Sequence, residues 1–202
     1  MKILDFSRKF ALSSLAMQRM NMIVAVDANY GIGRNNDLPW KLPKEYAHFV
    51  RETTKVQDEN KINAVIMGRR CWESIPEKYR PLKNRINVVL SRTMEPVILG
   101  DFVVTRSLDE ALKVLSESEQ FKDRVETIWN AGGRDVYAEG LTHPWMHKLV
   151  ITRIEKEFEC DVKFPDVDWS KFEANDDYVG TEVEKCEEKG VVWRVFSYTR
   201  KA

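Results

Sequence analysis

Net charge is the first thing this chain of 202 residues lacks, because 32 basic side chains are cancelled by 32 acidic ones. A nucleic-acid binder normally carries a broad basic footprint, so nucleic acid is not expected as a principal partner. Cysteine is also scarce. Cys71, Cys160 and Cys186 are an odd number at wide spacing, with no C-x-x-C pair. That pattern argues against zinc or thioredoxin-like chemistry and suits a reducing compartment, the cytoplasm. No metal site is expected. No apolar run approaches the ~20 residues that span a bilayer, so no membrane partner is expected either. A G-x-S-x-G elbow and a Walker A lysine are both missing, which removes support for hydrolase and P-loop chemistry.

What is present is an ordinary globular balance of 43% hydrophobic and 32% charged residues. The length suits one domain or one domain of two lobes. Residues 1–20 differ in character, with Lys2, Arg8, Lys9 and Arg19 against Asp5 alone. They read either as a frayed extension or as a weak organellar transit peptide, which is typically basic and poor in acids. The ordered pattern starts at Asn21.

Met22 to Val26 is a short apolar run that predicts a strand buried on both faces. Asp27 to Leu42 carries glycines, asparagines and prolines and predicts a long loop of the lid or binding kind. Pro43 opens a helix running to about Thr54, with Glu45 near the positive end of the dipole. Strands are predicted at Ile62 to Met67, Ile86 to Leu90, Phe102 to Thr105, Glu126 to Asn130 and Lys148 to Glu155. Ser107 and Glu110 form a capping box for a helix through Leu115, and a further helix follows Gly132-Gly133. The alternating stretches Phe172 to Asp176 and Val191 to Thr199 predict an antiparallel C-terminal hairpin. Strands alternating with helices argue a largely parallel α/β sheet.

Ligands of an open parallel sheet bind beyond the carboxyl ends of its strands. Gly132-Gly133 follows a strand and opens a helix, which suits an anion at bare backbone N–H groups; it equally suits a tight turn. Gly31-Ile32-Gly33 lacks the third glycine of a Rossmann fingerprint, because Asn36 stands there. Arg69, Arg70 and Arg92 follow strand ends, and paired arginine forks there suit a phosphate monoester. Glu45 shares a helix face with Phe49, beside an apolar stripe of Tyr46 and Val50. A carboxyl on such an inward face would be desolvated and its pKa raised, fit for gripping an amidine-like nitrogen pair or for proton transfer. The three histidines have no metal-ligand spacing.

Taken in order, these segments resemble one family. Ile23-Val24-Ala25-Val26 and Gly31-Ile32-Gly33 with Asp37-Leu38-Pro39-Trp40 look like the first strand and active-site loop of dihydrofolate reductase. Val65 to Arg70, Ser74-Ile75-Pro76, Arg80-Pro81-Leu82, Asn87 to Arg92, Gly132 to Tyr137 and Ile151 to Ile154 continue the likeness, as does Asp161 to Pro165. The match covers about residues 21 to 200 and is nearest to the animal enzymes.

The resemblance implies an eight-stranded, mostly parallel sheet flanked by helices, with an antiparallel C-terminal edge and an adenosine-binding lobe near residues 56–106. It implies NADPH-dependent reduction of 7,8-dihydrofolate to tetrahydrofolate by a monomer that also binds antifolates. Glu45 would hydrogen-bond the pterin, Thr152 would support that carboxyl, and Trp40 with Leu38 would help place the water that protonates N5. Ile23, Val24, Phe49, Ile75 and Leu82 would enclose the substrate, and Arg85 would grip its glutamate carboxylate. Around the cofactor the resemblance puts Ala25, Ile32, Gly33, Gly68, Arg69, Arg70, Cys71, Leu90, Ser91, Arg92 and Arg106, then Ala131, Gly132, Gly133, Arg134, Asp135, Val136 and Tyr137. Cys71 stands where the family usually has threonine. Asn130-Ala131 replaces a bulkier apolar pair, and an effect on antifolate affinity is expected there. Reductases of the same fold that act on a riboflavin precursor lack the Leu-Pro-Trp loop followed by an acid in this register.

Overall fold

The computed structural model describes residues 19–175 and 186–201. The leader expected at residues 1–20 therefore lies outside them except for its last two positions. The first arm of the C-terminal hairpin is described as far as Asn175.

Six parallel strands form the middle of the sheet: β1 (Met20–Val26), β3 (Ile62–Gly68), β4 (Arg85–Leu90), β6 (Phe102–Thr105), β7 (Val125–Asn130) and β8 (Met146–Ile154). β2 (Gly31–Gly33) and β9 (Val162–Lys163) form a separate antiparallel pair. The remaining strands are β5 (Val97–Leu99), β10 (Phe172–Ala174), β11 (Cys186–Glu188) and β12 (Val191–Arg200). In space the order is β10-β12-β8-β1-β7-β3-β4-β6-β5, with β11 paired to β12. β12 runs antiparallel to β8, and β5 antiparallel to β6. The expected parallel sheet with an antiparallel C-terminal edge is present. Beside the eight strands implied by the resemblance, the main sheet has two short additions, β5 and β11, making ten.

Among the described residues four α-helices cover the sheet: α1 (Pro43–Thr54), α2 (Arg69–Ser74), α3 (Leu108–Glu117) and α4 (Arg134–Thr142). α1 starts at the proline and ends where expected. The Ser107 side chain accepts from the Glu110 amide at 3.2 Å, and the Glu110 carboxylate accepts from the Arg106 amide at 2.7 Å. That is the capping box, displaced by one residue on its return bond.

Side chains alternate across each strand and split the core in two. Met20, Met22, Val24 and Val26 of β1 face the α3 and α4 side, with Ile66, Val88, Leu112 and Tyr137. Ile23 faces the other side, where Trp40, Leu42, Val65, Leu82 and Trp129 pack. The central strands are buried on both faces, as parallel strands covered by helices must be.

The segment Asp27 to Leu42 is not the structureless loop that its composition suggests. The buried Asp27 carboxylate accepts from the amides of Asn29 at 2.9 Å, Gly31 at 2.7 Å and Phe158 at 3.0 Å. Gly31 is required there, because a Cβ would run into Cys160 and Asp27. One carboxylate thus fastens the loop at its root and lets β2 pair with β9.

Candidate functional site

Strand β7 lies between β1 and β3, so the chain leaves β1, crosses β7 and returns along β3. At such a point an open α/β sheet has its ligand crevice, beyond the carboxyl ends of the strands. Val26, Asn130 and Gly68 end the strands, and the predicted site residues gather around them.

Glu45 stands in the first turn of α1 and is only 6% exposed. Burial pushes its carboxyl up to about 7, a hydrogen bond from the Thr152 hydroxyl pulls it down, and the charge of Glu188 pushes it up. Burial dominates because an ionised carboxylate loses its hydration there. Thr152 lies in β8 beside Ala25 of β1, which faces the same side as Ile23. Trp40 is buried against Phe158, with ring centroids 5.5 Å apart. Among the described residues its indole N–H has no hydrogen-bond partner. A buried donor of that kind, near a protonated acid, suits a polar ligand or a water. Leu38 is 48% exposed at the rim.

Phe49, Ile75 and Leu82 join Ile23 and Trp40 in one apolar cluster. Leu82 is locked there by Asn87, whose side-chain amide bonds both its N–H and its carbonyl. Arg85 is buried, donates to the Thr53 hydroxyl at 2.8 Å and to the Lys83 carbonyl at 3.0 Å, and lies over the Phe49 ring. Among the described residues it has no carboxylate partner in an ion pair. A desolvated guanidinium in that state attracts an anion.

Two expectations at the substrate end need correction. Val24 packs with Met22 and Val26 on the far face, because neighbours in a strand point to opposite sides. It can meet a ligand on the Glu45 side only through its backbone. Tyr46 is not part of an inward stripe: it is 47% exposed and stacks on Phe49, since one residue along a helix turns away from Glu45.

At the other end of the crevice, the Gly68 amide donates to the Gly132 carbonyl at 2.6 Å, and the Ala131 amide to Ile66. Gly132 has φ 89°, and a Cβ on it would enter the Tyr137 ring. Gly133 caps α4, whose first turn exposes Arg134 and Asp135. Cys71 lies against Gly133, and burial pushes its thiol up to about 11. Burial thus favours the protonated thiol, an unreactive form. Arg70 and Arg92 are exposed, and among the described residues neither enters an ion pair. Arg69 pairs with Glu73 at 2.7 Å. Ser91 is buried and accepts from the Met94 amide at 2.9 Å.

Four cofactor-side residues are committed to contacts within the protein. Arg106 donates to the Ser91 and Met94 carbonyls at 3.0 and 2.6 Å, so it shapes the loop carrying Arg92. The side chains of Val136 and Leu90 pack into the α3 core. Ile32 packs beside Val24 and Val26 while its neighbour Gly33 is half-buried in β2. Asn130, expected to act only by being smaller, is fully buried and polar: its amide donates to Val136 and accepts from the Gly132 amide.

Sequence reasoning missed Asp27 and Glu188. An aspartate two residues ahead of a backbone turn is an Asx-turn signal that could have found the first. Nothing local marks the second.

A dihydrofolate reductase family model matches residues 19–200 of this chain. The chain belongs to the dihydrofolate reductase family. It is 46% identical to the dihydrofolate reductase of Sus scrofa over 182 residues, covering 90% of this chain and 97% of that one. The Rattus norvegicus dihydrofolate reductase is 45% identical, again over 90% of this chain and 97% of its own length. Among solved structures, Schistosoma mansoni dihydrofolate reductase superposes with a TM-score of 0.79 at 36% identity, covering 91% of this chain and 99% of that one. Family membership accounts for the likeness at both ends of the crevice.

Proposed function

We propose that this chain reduces 7,8-dihydrofolate to tetrahydrofolate, with Glu45 as its buried acid and NADPH as the reductant. The observation that carries the proposal is a buried carboxyl bonded by Thr152 near the carboxyl end of β8, together with a glycine turn after β7 and two exposed arginines, Arg70 and Arg92, that enter no ion pair among the described residues. Those features fit a phosphorylated dinucleotide. The Gly132-Gly133 turn and the start of α4 would take its pyrophosphate, and Ser91, Arg92 and Arg70 a ribose phosphate. When bound, NADPH supplies the hydride that reaches C6 of the pterin.

The chain's own residues do the rest. Glu45, with Thr152 behind it, holds the pterin through its amino group and N3. Trp40 and Leu38 shield the acid and place the donor from which N5 receives a proton. Hydride at C6 and proton at N5 together reduce the imine, so one acid is enough. Phe49, Ile75, Leu82 and Ile23 enclose the rings and exclude water, and Arg85 takes the terminal carboxylate.

The proposal extends to a monomer in the cytoplasm, a reducing compartment that three widely spaced cysteines with no C-x-x-C pair suit. It includes one reductase unit over residues 21–202, with an adenosine-binding lobe near 56–106 that carries Arg69, Arg70 and Arg92. Among the described residues no helix is long and apolar enough to cross a membrane. NADPH oxidation followed with dihydrofolate added, beside NADH and beside Glu45→Ala, tests it. Rapid turnover that prefers NADPH and is lost in the variant is expected. Folded protein that binds NADPH without turning over dihydrofolate would overturn it.

A further inference from the structure

Helix α1 carries Glu45 but does not cap itself. Leu42 is its N-cap residue and provides no side-chain acceptor. The first amides of a helix need partners, and the Lys44 amide finds one 144 residues away: it donates to the Glu188 carboxylate at 2.9 Å. Glu188 ends β11. The next residue, Lys189, reaches the same segment from the other side, its ammonium donating to the Lys41 carbonyl at 3.2 Å. Two consecutive residues of the β11–β12 turn therefore hold both an amide and a carbonyl of the short segment that joins Trp40 to Glu45.

The hairpin that reaches across is itself tied to the strand behind the acid. Glu188 pairs with Val191 of β12, and Val195 of β12 pairs with Thr152 of β8. Thr152 bonds the Glu45 side chain. The helix turn that carries the acid and the acid's side chain are thus both referenced to β12, the first through β11 and the second through β8. Glu188 does from a distance what a serine or aspartate does at a self-capped helix.

We propose that Glu188 is a positioning residue for Glu45, capping the helix that carries the acid and so setting where the acid and Trp40 meet the pterin. It rests on the role given to Glu45 above. Its charge has a second effect. The groups facing Glu45 are the Thr152 hydroxyl from β8, the buried Tyr137 hydroxyl from α4 and the Glu188 carboxylate from β11, with Lys44 exposed beside it on α1. Among the described residues Glu188 is the anion that faces it, and it opposes ionisation of Glu45.

The test compares Glu188→Gln, which keeps an acceptor for the Lys44 amide, with Glu188→Ala, which does not, in the full-length chain. For Glu188→Gln the expected result is kcat within about twofold of the parent at pH 6, and an alkaline limb moved to lower pH by about half a unit. For Glu188→Ala kcat falls about fivefold or more while the KM for NADPH stays within about twofold. Parent kcat and parent pH profile in both variants would overturn the proposal, as would a loss that falls equally on the NADPH constant. Thermal unfolding against pH supplies a readout independent of substrate. Glu188→Gln should reduce the loss of Tm between pH 5 and 8, and that effect should vanish in a Glu45→Gln background. If the parent fails to turn over dihydrofolate, the reaction is wrong, and this unfolding comparison alone decides the coupling: no difference between the two backgrounds overturns it.

Discussion

Tyr137 fills the space that a side chain on Gly132 would need, and its hydroxyl donates to the Ile23 carbonyl at 2.9 Å. One ring thus joins the glycine turn after β7 to the strand that borders the Glu45 side. Tyr137→Phe keeps the ring and leaves a buried carbonyl short of a donor. Urea unfolding should show a loss of about 1–2 kcal/mol. Gly132→Ala, which forces ring and turn apart, should weaken NADPH binding more than Tyr137→Phe does, as read by quenching of tryptophan fluorescence.

Glu45 makes activity and stability depend on pH in the same sense. Turnover needs the protonated acid, so the rate should decline as pH rises through about 7. The folded carboxyl binds its proton more tightly than an unfolded one at 4.5, so stability is fully present below about 4.5 and is lost as pH rises through about 7. Glu45→Gln should abolish turnover. It should also gain on the parent by up to about 3 kcal/mol more at pH 8 than at pH 4, measured by denaturant unfolding at both values.

Arg92 is exposed and enters no ion pair among the described residues, so its removal should cost little stability. Arg92→Ala is expected to raise the KM for NADPH about tenfold or more and to leave that for NADH within about twofold. Equal changes in steady-state kinetics with the two cofactors would remove Arg92 from the phosphate site.

Asn130 ties the glycine turn to the first turn of α4 through two buried hydrogen bonds of 3.0 and 2.8 Å. Asn130→Leu strands both partners and should cost about 2–4 kcal/mol in thermal or denaturant unfolding. The KM for NADPH should rise severalfold with the dihydrofolate constant nearly unchanged, because the amide faces the turn and α4. An altered antifolate affinity without an altered NADPH constant would contradict that placement.

The extent of α1 could be read from Pro43 at its start, and α3 from the Ser107–Glu110 box, because capping is a matter of residues a few positions apart. The buried strands and their parallel pairing were legible for a similar reason: apolar runs alternating with helices leave few arrangements. Glu45 could be picked out as an inward acid beside Phe49. Its neighbour Tyr46 was misplaced because a stripe drawn by residue type ignores the turn of the helix between adjacent positions. Val24 was assigned to the pocket with Ile23 although strand alternation separates them.

By itself, then, the sequence determined the local elements, the sheet class and the family-like spacing of acid, glycines and arginines. Each of these depends on chemistry within one turn, one strand or one ordered set of motifs. Only the tertiary structure decided that Asp27 fastens the loop to Phe158, that Arg106 serves the backbone beside Arg92, and that Glu188 caps the helix of Glu45. In each case a polar side chain satisfies backbone groups far away in the chain. Which distant group it meets depends on how the strands are ordered in the sheet.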